Sequence, residues 1–322
     1  MTRITSFTRQ GLTFDVLDQG PEDAPVVLLL HGFPQDARCW DSVTERLNAE
    51  GLRTLAMDQR GYSPGARPTE LAAYRREELS RDALALADEA GAETFHLVGH
   101  DWGGVLAWDI ALRAPDRVTS LTVLSTPHPT ALGHALKTAD QLKKSWYIGM
   151  FQIPGAPERL LAGRIGTIAR KQGISEDAAS RYGQRFSTAE DLRGPINWYR
   201  AMFRKDGVTG THAGNGIITV PTTFVWGNRD PAPGPHGRGG DRGVLARTVR
   251  VHRARRRALA SRARGRPGGG RHRGPDLLRH GQLTPIGHLG PRSQETEEPS
   301  TSSTASPYSA SFLAPTPLMP LS

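Results

Sequence analysis

The sequence predicts an α/β fold: a mostly parallel central sheet with helices on both faces and a helical cap inserted between strands. Val26–Leu30 reads VVLLL, a continuous apolar run of the kind buried on both faces of a parallel sheet. Phe95–Val98 is a second buried strand of this type, and segments with helical apolar spacing separate such strands. Repeated β–α alternation implies crossovers over a parallel sheet.

Taken in order, Ile4–Thr8 and Leu12–Asp18 flank a turn at Arg9–Gly11 and predict an opening hairpin. Val26–Leu30 follows as a buried strand, Trp40–Leu47 as a helix, Thr54–Asp58 as a strand and Ser80–Ala90 as a helix. Phe95–Val98 and Gly103–Leu112 form the next strand–helix unit, and Leu121–Leu124 is a strand ending before Pro127. From about Pro129 to Gly216 no strand-like run occurs, while Trp146, Tyr147, Phe151, Trp198, Tyr199 and Phe203 recur among helix formers. Thr222–Trp226 (TTFVW) returns to a strand. The expected organisation is therefore a first core segment over 1–128, a cap over 129–216, a return strand and loop over 217–232, and a tail over 233–322.

Composition divides the chain at the same place. It has 322 residues, 41 Lys+Arg and 32 Asp+Glu. Residues 1–231 carry 26 of the basic and 27 of the acidic residues, a near-neutral balance; residues 232–322 carry 15 arginines, no lysine and 5 acids. Beyond Pro233 no period of 2 or 3.6 is evident, and GRGG, GRPGGG and a Ser/Thr/Pro-rich end predict disorder. Loss of regular structure there predicts an uncovered sheet edge and poor solubility.

No apolar run approaches the roughly 18–20 residues that span a bilayer, so no membrane partner is expected. MTRITSFTRQ lacks the apolar centre of a signal peptide. A single cysteine, Cys39, excludes an intrachain disulfide and makes a reducing cytoplasm the expected compartment. No metal cluster or phosphate loop occurs, so no cofactor is expected.

The chemistry centres on Gly99-His100-Asp101-Trp102-Gly103-Gly104, directly after a strand and opening a helix. A G-x-nucleophile-x-G sequence at such a junction is a nucleophile elbow, whose glycines permit a sharp turn. Aspartate in place of serine decides the reaction: a carboxylate attacking an electrophilic alkyl carbon makes an ester. An aspartate merely capping a helix is the competing reading. His31-Gly32-Phe33-Pro34 follows strand Val26–Leu30, where a backbone N–H can pair with the N–H after the nucleophile as an oxyanion hole. Those donors would belong to Phe33 and Trp102.

HGFPQDARCW (His31–Trp40), DQRGYS (Asp58–Ser63) and VGHDWGG (Val98–Gly104) together resemble the epoxide hydrolase family of the α/β-hydrolase fold, over roughly residues 1–231. The resemblance implies a small-molecule epoxide substrate and two cap tyrosines that protonate the leaving oxygen. WYIGMFQIPG (Trp146–Gly155) matches one at Tyr147, and Asn197-Trp198-Tyr199-Arg200 matches the other at Tyr199. A phenol with a pKa near about 10 can donate a hydrogen bond and then a proton. WGNRD (Trp226–Asp230) resembles the family's WGxxD, with Asp230 the acid that orients a histidine.

That histidine is missing where the resemblance places it, roughly thirty residues on: none occupies 253–271. Arg257–Arg262 can be encoded CGG GCA CTG GCT TCC CGA. Read one base later, with the G that Ala263 requires, it spells GHWLPE, the expected motif, with histidine at the place of Ala258. The same shift from Pro233 permits LGRTGAEATAE. An arginine-only basic tail also fits out-of-frame reading of GC-rich DNA. The expectation is a frameshift near Ala232–Pro233 and a chain deficient in ester hydrolysis. Five histidines do lie further on (His236, His252, His272, His280 and His288), of which His288 follows a glycine but stands 58 positions after Asp230. A haloalkane dehalogenase, which shares the Asp-Trp elbow, is the alternative enzyme. A non-catalytic protein whose arginine-rich tail binds nucleic acid is the alternative outside enzymes. Neither the particular substrate nor the oligomeric state is legible.

Overall fold

In a computed structural model, residues 3–128, 146–204, 216–227 and 244–247 are described. All of them fall in one of the chain's two units; the other, 255–306, lies outside the described residues. The described strands form one eight-stranded sheet in the order β1-β2-β4-β3-β5-β6-β7-β8.

The opening hairpin pairs β1 (Ser6–Arg9) with β2 (Leu12–Gln19), turning through left-handed Gln10 and Gly11. Strand β2 runs antiparallel to β4 (Arg53–Met57), and β3 (Val26–Leu30) lies parallel between β4 and β5 (Phe95–His100). Strands β6 (Val118–Leu124) and β7 (Thr222–Gly227) continue the parallel set. Every residue of β3 and β4 is buried. For β3 the apolar run VVLLL predicted this, because both sheet faces there are covered.

Helices α1 (Asp41–Ala49), α2 (Arg76–Glu89) and α3 (Trp102–Arg113) supply the cover. Helix α3 is almost wholly buried, from Trp102 to Ala111, and packs on β5, β6 and β3. A short 3₁₀ turn at Ala37–Trp40 precedes α1, where the sequence predicted helix from Trp40. Helix α2 starts at Arg76 rather than Ser80: its first turn is polar and is held by ion pairs that no apolar period reveals.

Between residues 146 and 204 the described chain holds five helices and no strand: α4 (Trp146–Phe151), α5 (Ala156–Leu161), α6 (Ile165–Lys171), α7 (Glu176–Arg185) and α8 (Ala189–Ala201). Helix α8 begins with a capping box between Thr188 and Asp191, which satisfies two otherwise orphaned N–H groups. Its buried face, including Trp198 and Tyr199, joins the same apolar cluster as Phe33 and Trp102.

One expectation requires correction. The tail's composition predicted no further strand, yet β8 (Val244–Arg247) pairs antiparallel with β7 and becomes the last strand of the described sheet. Val244-Leu245-Ala246 is a short apolar run amid arginine and glycine, and the open edge of β7 supplies the hydrogen bonds it needs. Pairing is therefore set by the sheet rather than by local composition. The rest of 233–322 lies outside the described residues.

Candidate active site

The site forms at the carboxyl edge of β3, β4 and β5. Asp101 follows β5 and caps α3 with φ 52° and ψ −119°. Such a backbone costs a non-glycine residue on the order of 1–3 kcal/mol and persists only when its surroundings impose it. The surroundings do so here. Gly103 lies so close to the β3 backbone at Leu30 and His31 that a Cβ there would overlap it. Thr126, after β6, donates its hydroxyl to the Asp101 carbonyl at 2.9 Å.

The carboxylate lies against the His31–Pro34 loop. Gly32 packs on the Asp101 side chain so tightly that a Cβ would collide with its carboxyl carbon and oxygen. The Phe33 N–H donates to Asp101 Oδ1 at 2.9 Å, and the Trp102 N–H also hydrogen-bonds the carboxylate. The two expected oxyanion donors thus converge on the Asp101 carboxylate. Asp101 retains partial solvent access yet sits deep among protein atoms. Burial pushes its carboxyl up to about 6, and the two backbone donors oppose that shift.

His31 is fully buried and serves the loop. The Gln59 N–H donates to its Nε2 at 3.2 Å, so Nδ1 carries the proton and donates to the Gly32 carbonyl at 3.0 Å. Gln59 Nε2 donates to the His31 carbonyl at 2.6 Å. Burial lowers the imidazole's pKa, keeping it neutral. The Phe33–Pro34 bond is cis. His100 Nδ1 lies 2.9 Å from Gln35 Oε1, joining the elbow to the loop from its other side.

From the cap, Tyr199 stands edge-on to Trp102 with ring centroids 5.0 Å apart, and 5.9 Å from Phe33. It is buried, and a side-chain hydrogen bond joins it to Trp102. Burial, then the nearby Asp101 charge, hold its phenol well above the ordinary value, so it keeps its proton. Tyr147, on α4, is half-buried with its ring 6.1 Å from that of Tyr199. The structure thus brings Asp101, the Phe33 and Trp102 N–H groups, Tyr199 and Tyr147 together.

Asp230 and the five tail histidines lie outside the described residues. Among the described residues no cluster of metal-binding side chains occurs, and no helix is long and apolar enough to cross a membrane.

Sequence reading missed Thr126, which leaves no motif, and the charged contacts between cap and core. Arg181 and Arg185 on α7 reach Asp36 and Asp58, and Trp198 Nε1 donates to the Arg60 carbonyl at 2.9 Å.

Comparison with known proteins places these features in a family. Residues 25–245 match the alpha/beta hydrolase fold family. Epoxide hydrolase A of Mycobacterium tuberculosis is 34% identical over 263 residues, covering 69% of this chain and 80% of that protein. The chain belongs to the epoxide hydrolase family of the α/β-hydrolase fold. Epoxide hydrolase 3 of Xenopus tropicalis is 35% identical, and the chain spans 62% of its length. The AB hydrolase superfamily protein YfhM of Bacillus subtilis is 34% identical over 68% of this chain and 79% of its own. Among solved structures, epoxide hydrolase A from Mycobacterium thermoresistibile is 30% identical with TM-score 0.61, covering 70% of this chain and 82% of that one. Like its relatives, then, this epoxide hydrolase family member is an enzyme of the α/β-hydrolase type.

Proposed function

We propose that the chain opens small-molecule epoxides through an ester at Asp101, and that it stalls there. An Asp101 oxygen bonds to an epoxide carbon as that carbon's bond to the ring oxygen breaks. The released alkoxide takes a proton from the Tyr199 or Tyr147 phenol. In the second step water adds to the ester carbonyl, the Phe33 and Trp102 N–H groups hold the resulting oxyanion, and the diol leaves as the carboxylate returns. Activation of that water calls for a histidine oriented by Asp230.

The observation that carries this reading is the Asp101 carboxylate itself. One of its oxygens is held by a backbone donor at 2.9 Å, in a turn that supports no ordinary residue without strain. A helix cap has no need of either feature. Two phenols beside it match the acid that epoxide opening requires. A dehalogenase reading would assign the Trp102 indole to halide; here its hydrogen bond to Tyr199 favours phenol-assisted opening.

The stall follows from the frameshift proposed near Ala232–Pro233. Two family-like stretches, GHWLPE and LGRTGAEATAE, emerge from one shift in reading frame, beginning where the near-neutral composition gives way to an arginine-rich one. Incubating the purified chain with styrene oxide and measuring intact mass tests both parts. The expected outcome is a stable one-equivalent adduct mapped to Asp101. Sustained diol formation would refute the stall, and an unmodified Asp101 in a frame-restored chain would refute the nucleophile.

A further inference from the structure

Two core acids beside the site have their charges met by cap arginines. Asp36, at the end of the His31–Pro34 loop, is fully buried. Arg181 Nε donates to its Oδ2 at 2.9 Å. Asp58, after β4, accepts the Ala37 N–H at 2.8 Å and Arg185 Nη2 at 2.6 Å. Arg185 also donates to the Tyr62 carbonyl at 3.2 Å and lies 3.8 Å from Asp36. One guanidinium thus spans the loop after β3 and the loop after β4. Next to it in sequence, Phe186 sets its ring 6.2 Å from that of Phe33.

These contacts bracket the Phe33 N–H. The loop closes through the Gln35 N–H, which donates to the Gly32 carbonyl at 2.8 Å, two residues before the Ala37 N–H that donates to Asp58. A carboxylate as buried as that of Asp36 is costly without its partner, so the loop keeps its place only while α7 is seated. We propose that Arg185 is a positioning residue: by engaging Asp58 and the Tyr62 carbonyl from the cap, it holds the loop after β3 so that the Phe33 N–H meets Asp101. The oxyanion hole is then complete only with the cap docked. This rests on Asp101 being the nucleophile proposed above.

The test compares the full chain with its Arg185→Met and Arg185→Lys variants, using styrene oxide as the probe. Arg170→Ala, which breaks an exposed pair with Glu176, serves as control. Among the described residues, the titratable groups that feel the Asp101 charge include Tyr62 and Tyr199, with His31, His100 and Tyr147 nearby and Asp36, Asp58, Arg181 and Arg185 behind the loop. Losing the Phe33 donor leaves the ionised carboxylate less favoured. Arg185→Met is therefore expected to slow adduct formation at least tenfold and to move its pH midpoint upward. Arg185→Lys should recover part of both effects, and Arg170→Ala neither. An equally fast Arg185→Met variant, or a slower one with an unmoved midpoint, would overturn the proposal, since a residue that only steadies the cap leaves that midpoint alone. Titrating the Asp101 carboxyl carbon by NMR decides the same question without substrate. If the unsubstituted chain forms no adduct, the nucleophile reading fails, while the NMR midpoints of the variants still rule on Arg185.

Discussion

The stretch up to Gly227 and the stretch beyond it obey different rules within one chain. In the first, local sequence and tertiary structure agree: an apolar run becomes a buried strand, a glycine pair becomes a tight elbow, and acids and bases nearly balance. In the second, lysine is absent, arginine dominates, and the described structure is a single four-residue strand recruited by a neighbouring edge. The difference bears on chemistry because the two half-reactions draw on different stretches. The groups proposed for alkylation sit on β3, β5, α4 and α8, all ahead of the break. The groups proposed for hydrolysis, Asp230 and a histidine, belong at the break and after it. One half of a mechanism can therefore survive the loss of the other.

The sharpest attack on this contrast removes the nucleophile. Asp101→Ala is expected to abolish the adduct entirely in intact-mass measurements; an adduct that persists at another residue would break the assignment. Next comes restoration of the reading frame before codon 233. Gaining a general base is worth about 10²–10⁴-fold, so steady diol production should rise by that order over the present chain. A restored chain that still stops after one turnover would show that the fault lies elsewhere. Smaller effects are expected at the phenols: Tyr199→Phe and Tyr147→Phe should each slow adduct formation by about tenfold to a hundredfold, because each can partly cover for the other.

The subtlest prediction concerns pH. Burial raises the Asp101 carboxyl to about 6, so adduct formation should climb through that pH and level off above it. Stability moves the opposite way. A carboxyl with a folded pKa above its unfolded value destabilises the fold once ionised. The penalty is full above about pH 6 and vanishes below the unfolded value. Its size is roughly 3 kcal/mol. Asp101→Asn should therefore melt higher than the parent at neutral pH, with the gap closing as pH falls toward 4. A gap independent of pH would mean that the carboxyl is not strained by burial.

The contrast also marks what could be read in advance. The elbow and the His31–Pro34 loop were legible because they need particular residue types at fixed spacing. Gly32 and Gly103 leave no room for a side chain, and only a turn brings Asp101 forward. Strands β3 and β5 were legible from their apolar runs. Thr126 was not, since its hydroxyl finds Asp101 from 25 positions away and any short polar side chain looks alike in sequence. Nor were Arg181 and Arg185: an arginine on an amphipathic helix reads as solvent-facing until its partner, more than a hundred residues earlier, is known. Strand β8 escaped notice because its pairing comes from β7.

The heading of β8 has its own consequence. Val244 sits opposite Gly227 and Arg247 opposite Phe224, so the polypeptide doubles back and leaves by the rim remote from Asp101. With strands rising about 3.4 Å per residue, these few positions carry it roughly 10 Å the wrong way. At Arg247 the described chain therefore heads away from the nucleophile, the opposite of the course a segment returning to Asp101 would take.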